Sequence, residues 1–349
     1  MIYGIYFIIS LVISLLLVPK IRSFALANGI IDKPNKRKIH RGKIARLGGV
    51  AVFLAFWLVI ILVSIFNQDL LNFSGNKFLL IDSNLWAILI GSLIMLILGI
   101  IDDIRGVKST TKLFWHFIVG FIVVCLGIKI WWVHNPFGGF LTIDDWSYLL
   151  VPLWVVLMIN VMNWWDGVDG QASGIGIIAS IIIFILSISK YVDQPSSAII
   201  MIILAGSLLG FLRYNFNPAS IFLGDSGSQF IGFMLAIGAI VSGAKIATAS
   251  LVLGFPILDA MWVIIRRILS KKSIFEADRM HFHHRLLDLG YSQKKTVLIM
   301  YLISAFFGTI ALMTLGRSEL KLLSLIWLFF VMIVTGIILS LKAKQYGRK

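Results

Sequence analysis

A chain of 349 residues that is 59% hydrophobic and 13% charged carries more apolar surface than a water-soluble fold can bury, and its mean hydropathy of +0.96 assigns it to the bilayer. The net charge of +15 does not point to nucleic acid, because Lys and Arg fall in short runs between apolar stretches, as in proteins oriented by basic loops. The lone cysteine, Cys125, lies inside an apolar run, which excludes a disulfide framework or a thiolate metal site.

Apolar stretches long enough to cross about 30 Å of hydrocarbon occupy 2–19, 47–66, 84–101, 113–132, 148–162, 173–189, 198–213, 228–243, 247–265, 296–316 and 322–341. The first begins at Ile2 without a basic leader and is expected to be a retained span. Alternating ten-residue strands are absent, so the expected fold is an all-α polytopic membrane protein of about eleven transmembrane helices, one domain over 1–349. If the N-terminus lies outside, 25 of the 31 Lys and Arg fall in the odd-numbered connections and the C-terminal tail, placing that face and the C-terminus in the cytoplasm.

Every segment with chemical character lies in an odd-numbered connection, hence on one face. The first, Asp32 to Gly49, concentrates Lys33, Lys36, Arg37, Lys38, His40, Arg41, Lys43 and Arg46. Charge alone makes it a topology anchor; Gly48-Gly49 would also let its backbone approach a phosphate. The second, GIIDDIRGVKSTTK, ends an apolar run in adjacent Asp102 and Asp103, either an interfacial helix stop or a cation site. The third, NVMNWWDGVDGQASG, has no basic residue, so Asp166 and Asp169 lack a local counter-charge that a metal ion could supply.

The fourth, RYNFNPASIFLGDSGS, sets Asp225 before a helix, where it could be an N-terminal cap or bridge to a phosphate through a divalent ion. The fifth, Arg266 to Lys295, contains His281, His283, His284 and Arg285. Without cysteines or a clean i, i+4 histidine pair, these fit phosphate donors better than zinc ligands. Carboxylates, histidines and basic residues on one face form the inventory of phosphoryl transfer around an oxygen-ligated Mg²⁺ or Mn²⁺.

Taken in order, DKPNKRKIH, GIIDDI, NVMNWWDGVDG, NFNPASIFLGDSGS and DRMHFHHRLLDLG resemble the polyprenyl-phosphate N-acetylhexosamine-1-phosphate transferase family over nearly the whole chain. The resemblance implies a single integral membrane transferase in the bacterial inner membrane, with a cytoplasmic active site. Its substrates would be UDP-N-acetylhexosamine and polyprenyl (undecaprenyl) phosphate. Its products would be UMP and a polyprenyl-diphospho-sugar for O-antigen or teichoic-acid-type assembly.

By the same resemblance Asp102 and Asp103 form the acidic pair at the reaction centre, with Asp102 deprotonating or orienting the lipid phosphate. Asp225 is the principal Mg²⁺ ligand, and Asn163 stands at the metal or nucleotide. Asp166 belongs with the catalytic carboxylates and lines the sugar-nucleotide site beside Asp169. Asn215 and Phe222 hold uridine, while Lys112, His281, His283, His284 and Arg285 bind substrate. The His-x-His-His form argues against a peptide-bearing substrate. Ala45 in place of a frequent proline, Trp164 and Trp165 in place of smaller residues, and Gln171 in place of leucine bear on which hexosamine is used. The rival from another class is an ion-coupled secondary transporter using interfacial aspartates, which would show paired repeats and midplane charges. Composition leaves the oligomeric state open, a homodimer included.

Overall fold

The computed structural model describes residues 1–32, 43–73, 76–79, 81–134, 140–242, 250–269 and 281–315, with isolated positions from 320 to 327. The basic run from Lys33 to Arg41, part of the fifth segment and most of the expected eleventh span lie outside the described residues.

The fold is helical: α1 (Ile2–Ala27), α2 (Gly48–Phe66), α3 (Ser83–Arg105), α4 (Ser109–Cys125), α5 (Ser147–Trp164), α6 (Gln171–Ser187), α7 (Pro195–Asn215), α8 (Gly224–Val241), α9 (Gly254–Leu269), α10 (Phe282–Asp288) and α11 (Gln293–Met313). Among the described residues seven of these, α1, α2, α3, α5, α7, α8 and α11, are long and apolar enough to cross a membrane, and α4 and α6 are shorter apolar helices. They coincide with nine of the eleven expected spans. The ninth expected span, 247–265, is described only in part: the helix there runs from Gly254 to Leu269 and carries Asp259, Arg266 and Arg267, while 243–249 lie outside the described residues. Its polar residues fall on one face, so the apolar run is an amphipathic stripe.

Helix α8 is the centre of the bundle. Every residue from Ser226 to Ile240 is buried, against α3, α5 and α2. Apolar side chains gain little by leaving lipid for one another, so such packing relies on small residues that let backbones touch. A Cβ added to Gly49 of α2 would lie 2.0 Å from the Gly227 nitrogen, and one added to Gly99 of α3 would lie 2.4 Å from the Ser226 Cα. α1, by contrast, presents most of its surface outward.

A short antiparallel pair, β1 (Ile31–Asp32) and β2 (Ile44–Ala45), ties the ends of the first basic segment together. The main chain that follows is strapped to the approach to α8: Phe222 N donates to Ala45 O at 2.8 Å, Gly48 N to Phe222 O at 3.0 Å and Gly49 N to Leu223 O at 2.8 Å. Segments nearly two hundred residues apart are thereby joined at one end of the bundle.

Candidate active site

The last turn of α3 delivers two adjacent carboxylates with different tasks. Asp103 reaches the N-terminus of α8, where its Oδ1 accepts from Asp225 N at 3.0 Å and its Oδ2 from Ser226 N at 3.1 Å and Ser226 Oγ at 2.8 Å. A helix N-terminus leaves its first N–H groups unpaired and partially positive, and a carboxylate answers both needs. The Gly-Asp-Ser-Gly segment is thus a helix cap as its sequence allows, but the capping oxygen comes from α3. Gly224 makes this possible twice over. It holds a φ of +73°, and a Cβ there would lie 2.5 Å from Asp103 Oδ2.

Asp102 turns the other way. Gly106, at φ +75°, reverses the chain after α3, and Asp102 Oδ1 accepts from Val107 N at 2.6 Å. Lys112, in the first turn of α4, donates to Asp102 Oδ2 at 2.7 Å and to Asp225 Oδ2 at 3.4 Å. The Asn163 amide at the end of α5 contacts Asp225 Oδ1 and donates to Ser228 Oγ at 2.9 Å. Four helices therefore meet at one cluster: Asp102, Lys112, Asn163 and Asp225.

Above it lies a cavity of about 290 Å³ bordered by Arg46, Asp103, Asn163, Asp166, Asp225 and His284, with Phe222 on its rim. Arg46 is ion-paired with Asp32 and lies 3.9 Å from Asp103. Asp166 sits in the turn between α5 and α6. Burial first, and then the nearby Asp225, Asp103 and Asp169 carboxylates, push its acid well above the usual carboxylate range. Asp169 is held at the wall, its Oδ2 accepting from Asn217 Nδ2 at 2.9 Å and Ala219 N at 3.0 Å.

Asn215 borders the cavity, but its amide is spent on the protein: Oδ1 accepts from Gly170 N at 3.1 Å and Ser173 Oγ at 2.8 Å, and Nδ2 donates to Ile221 O at 3.0 Å. It joins the Asp166–Gly170 turn to the Phe222 segment.

The histidines divide. His284 faces the cavity, whereas His281 lies behind it with Nδ1 2.8 Å from Asp259 Oδ2. His283 is fully buried, stacked parallel to His281 at 5.8 Å between ring centres, edge-on to Trp165 and 3.3 Å from Gln171 Nε2. Burial first, then His284 and His281, holds His283 well below the ordinary imidazole range, so it is neutral at pH 7. Arg285, on α10 itself, is buried. Of the sequence-predicted residues, Asp103, Asn163, Asp166, Asp169, Asn215, Phe222, Asp225 and His284 border the cavity. Asp102 and Lys112 join it through Asp225, while His281, His283 and Arg285 form its backing.

Four residues here escaped the sequence reading as individual site groups. Asp32 and Arg46 are submerged in a basic run, and Gln293 at the cavity wall has no motif around it. Asp259 did carry a signal: a carboxylate inside an apolar stretch marks function by default. It anchors His281 and accepts from Phe282 N at 3.0 Å.

Among the described residues no three His, Cys, Asp or Glu side chains form a ready-made metal cage. The donors present suit a harder, more open arrangement. Mg²⁺ is commonly held by one or two carboxylates plus substrate phosphates, and Asp225 with Asn163 beside mutually repelling carboxylates offers that partial shell.

The sequence profile of glycosyl transferase family 4 matches residues 85–243, from α3 through α8. The probable undecaprenyl-phosphate N-acetylglucosaminyl 1-phosphate transferase of Bacillus subtilis (strain 168) is 33% identical over 341 residues, covering 95% of this chain and 90% of the relative. The decaprenyl-phosphate N-acetylglucosaminephosphotransferase of Mycobacterium tuberculosis (strain H37Rv) is 33% identical over 81% of this chain and 75% of its own. The undecaprenyl-phosphate alpha-N-acetylglucosaminyl 1-phosphate transferase of Thermotoga maritima is 28% identical over 86% and 87%. With Asp102, Lys112, Asn163 and Asp225 all inside the matched region and a relative aligned along almost its full length, this chain belongs to glycosyl transferase family 4.

Proposed function

We propose that the protein transfers N-acetylhexosamine 1-phosphate from a UDP-sugar to a polyprenyl phosphate, with N-acetylglucosamine as the hexosamine. The reaction releases UMP and leaves a polyprenyl-diphospho-sugar for cell-envelope polysaccharide assembly. The observation that carries this reading is Lys112 between Asp102 and Asp225, at the junction of spanning helices with a polar cavity. A lipid phosphate arriving along the bilayer and a nucleotide arriving from water can meet only at such a boundary. The names of the three relatives add the lipid acceptor and the sugar.

In this reading a lipid phosphate oxygen attacks the β-phosphorus of the UDP-sugar. The bond from that phosphorus to the bridging oxygen breaks, and the electron pair leaves with UMP. Asp102, fixed by Lys112 and Val107 N, takes or holds the acceptor's proton. Lys112 and Arg46 offset charge on the phosphoryl oxygens. Asp225 and Asn163 would hold Mg²⁺, with Mn²⁺ as a substitute, and the ion supplies charge neutralisation on the diphosphate. Asp166, Asp169 and His284 face the sugar nucleotide, and Phe222 offers a ring for uracil. A covalent intermediate on Asp103 is disfavoured, because a nucleophilic Asp103 would have to abandon its three bonds to α8.

The site belongs to the cytoplasmic face of the bacterial plasma membrane on the distribution of basic residues. The transporter alternative calls for charges at the midplane, yet Asp102, Asp103 and Asp225 lie at helix ends. The test is UMP release by purified protein given undecaprenyl phosphate, Mg²⁺ and a panel of UDP-N-acetylglucosamine and UDP-N-acetylfucosamine. UMP dependent on the lipid phosphate supports the reading, and no release with any donor refutes it.

A further inference from the structure

The three helices that contribute Lys112, Asn163 and Asp225 each place a second, uncharged polar side chain further into the bundle. His116 follows Lys112 by four residues on α4, Gln229 follows Asp225 by four on α8, and Asn160 precedes Asn163 by three on α5. Each partner thus lies on the same helix face as the site residue, about one turn away. The three meet one another: Asn160 Nδ2 is 3.2 Å from His116 Nδ1, and His116 Nε2 is 3.4 Å from Gln229 Oε1. His116 is 2% exposed and Gln229 is fully buried.

The hydrogen bonds run in one direction. An amide nitrogen only donates, so His116 Nδ1 accepts from Asn160 and its proton sits on Nε2, where it donates to Gln229 Oε1. Asn160 Nδ2 also donates to Val156 O at 2.7 Å. At the far end Gln229 Nε2 has no partner among the described residues. Three apolar side chains would fill this space without an unpaired donor, so the trio is not the cheapest packing. What directional bonds add is register, because apolar helix contacts tolerate small slides and rotations that a hydrogen bond does not.

We infer that His116, Asn160 and Gln229 form a positioning layer that sets the relative depth and rotation of α4, α5 and α8, and so keeps Lys112 Nζ between Asp102 and Asp225. The 3.4 Å contact of Lys112 with Asp225 is already long, and a slide of about 0.5 Å takes it out of hydrogen-bond range. None of the three touches the cavity, so they act through the cluster. The inference rests on the transferase reading proposed above and deepens it.

The test compares wild type, His116→Phe and His116→Gln by steady-state UMP release, with folding followed by size exclusion and thermal unfolding. Phenylalanine fills similar space without hydrogen bonds, while a glutamine amide can accept from Asn160 and donate to Gln229. The expected result for His116→Phe is a kcat lowered roughly 10- to 100-fold, with both KM values near wild type and an unfolding temperature at or above it. His116→Gln should recover kcat to within about threefold. Wild-type kcat in His116→Phe, loss equal in both variants, or loss that follows a lowered unfolding temperature overturns the layer. If wild type itself releases no UMP from any donor, the transferase reading fails and the layer is judged by Mn²⁺ affinity, measured by electron paramagnetic resonance on the same proteins. The same ranking, weakest in His116→Phe and restored in His116→Gln, is then expected, and equal affinities overturn it.

Discussion

Asp103 is expected to be a structural carboxylate at the heart of the site, and its removal should be read first in stability. Its two oxygens accept three hydrogen bonds from the first turn of α8. Asp103→Ala strands two backbone N–H groups and the Ser226 hydroxyl and deletes an anion at a helix N-terminus. A charged hydrogen bond contributes about 1.5–3 kcal/mol and a helix cap about 1 kcal/mol, and these overlap, so the variant should lose roughly 3–5 kcal/mol. Asp103→Asn keeps one acceptor oxygen, which can serve the two Ser226 donors, and should lose about 1–2 kcal/mol. Ser226→Ala removes one bond and should lose about 1 kcal/mol. Thermal unfolding in detergent should therefore rank wild type, Ser226→Ala, Asp103→Asn and Asp103→Ala in falling order, with UMP release declining alongside as Asp225 loses its seat. An Asp103→Asn protein that unfolds at the wild-type temperature yet makes no UMP would refute this reasoning, since Asp103 would then be a reacting group.

Asp102→Asn and Asp225→Asn should behave oppositely, losing at least about 100-fold in kcat while remaining folded in the membrane; full turnover in either removes its assigned role. Gly49→Ala should destabilise by at least about 2 kcal/mol, because the new methyl meets Gly227 backbone 2.0 Å away, with neither helix free to retreat; unchanged unfolding would show that α2 and α8 can separate. His283 is neutral in the folded protein because its imidazole is held well below the ordinary value. Its contribution is complete above the unfolded value of about 6.5 and falls by up to about 1.4 kcal/mol per pH unit below it, where only the unfolded chain gains a proton. The stability gap between wild type and His283→Gln should therefore narrow from pH 7.5 to pH 5.5, and a constant gap refutes a neutral His283.

The class of fold was legible because a spanning helix needs only a long apolar run, and nine such runs stand as helices in the expected places. The polar stripe within the ninth expected span was not, because hydropathy averages over a window and hides the face that places Asp259, Arg266 and Arg267 together. The gathering of Asp102, Asn163, Asp166 and Asp225 was legible from topology: loops on the same side of a bundle have few places to go. Division of labour within the pair at 102–103 was not, since it depends on which carboxylate a helix end from another part of the chain happens to meet. Likewise His281, His283 and His284 read as one cluster, and only the packing of Trp165 and Gln171 shows that a single ring faces the cavity. The second polar trio escaped because His116, Asn160 and Gln229 lie in three separate segments, and only the packing of α4, α5 and α8 shows that they meet.

The glycine contacts around α8 bear on how such enzymes diversify. Where Gly49 meets Gly227 and Gly99 meets Ser226, backbone rests on backbone, and no side chain is available to be traded for a larger or smaller one. The packing beneath the cavity is therefore hard to alter, while Phe222, His284 and Gln293 line it with replaceable side chains. The lining of the cavity can therefore be altered side chain by side chain without disturbing the backbone packing that holds the helices below it.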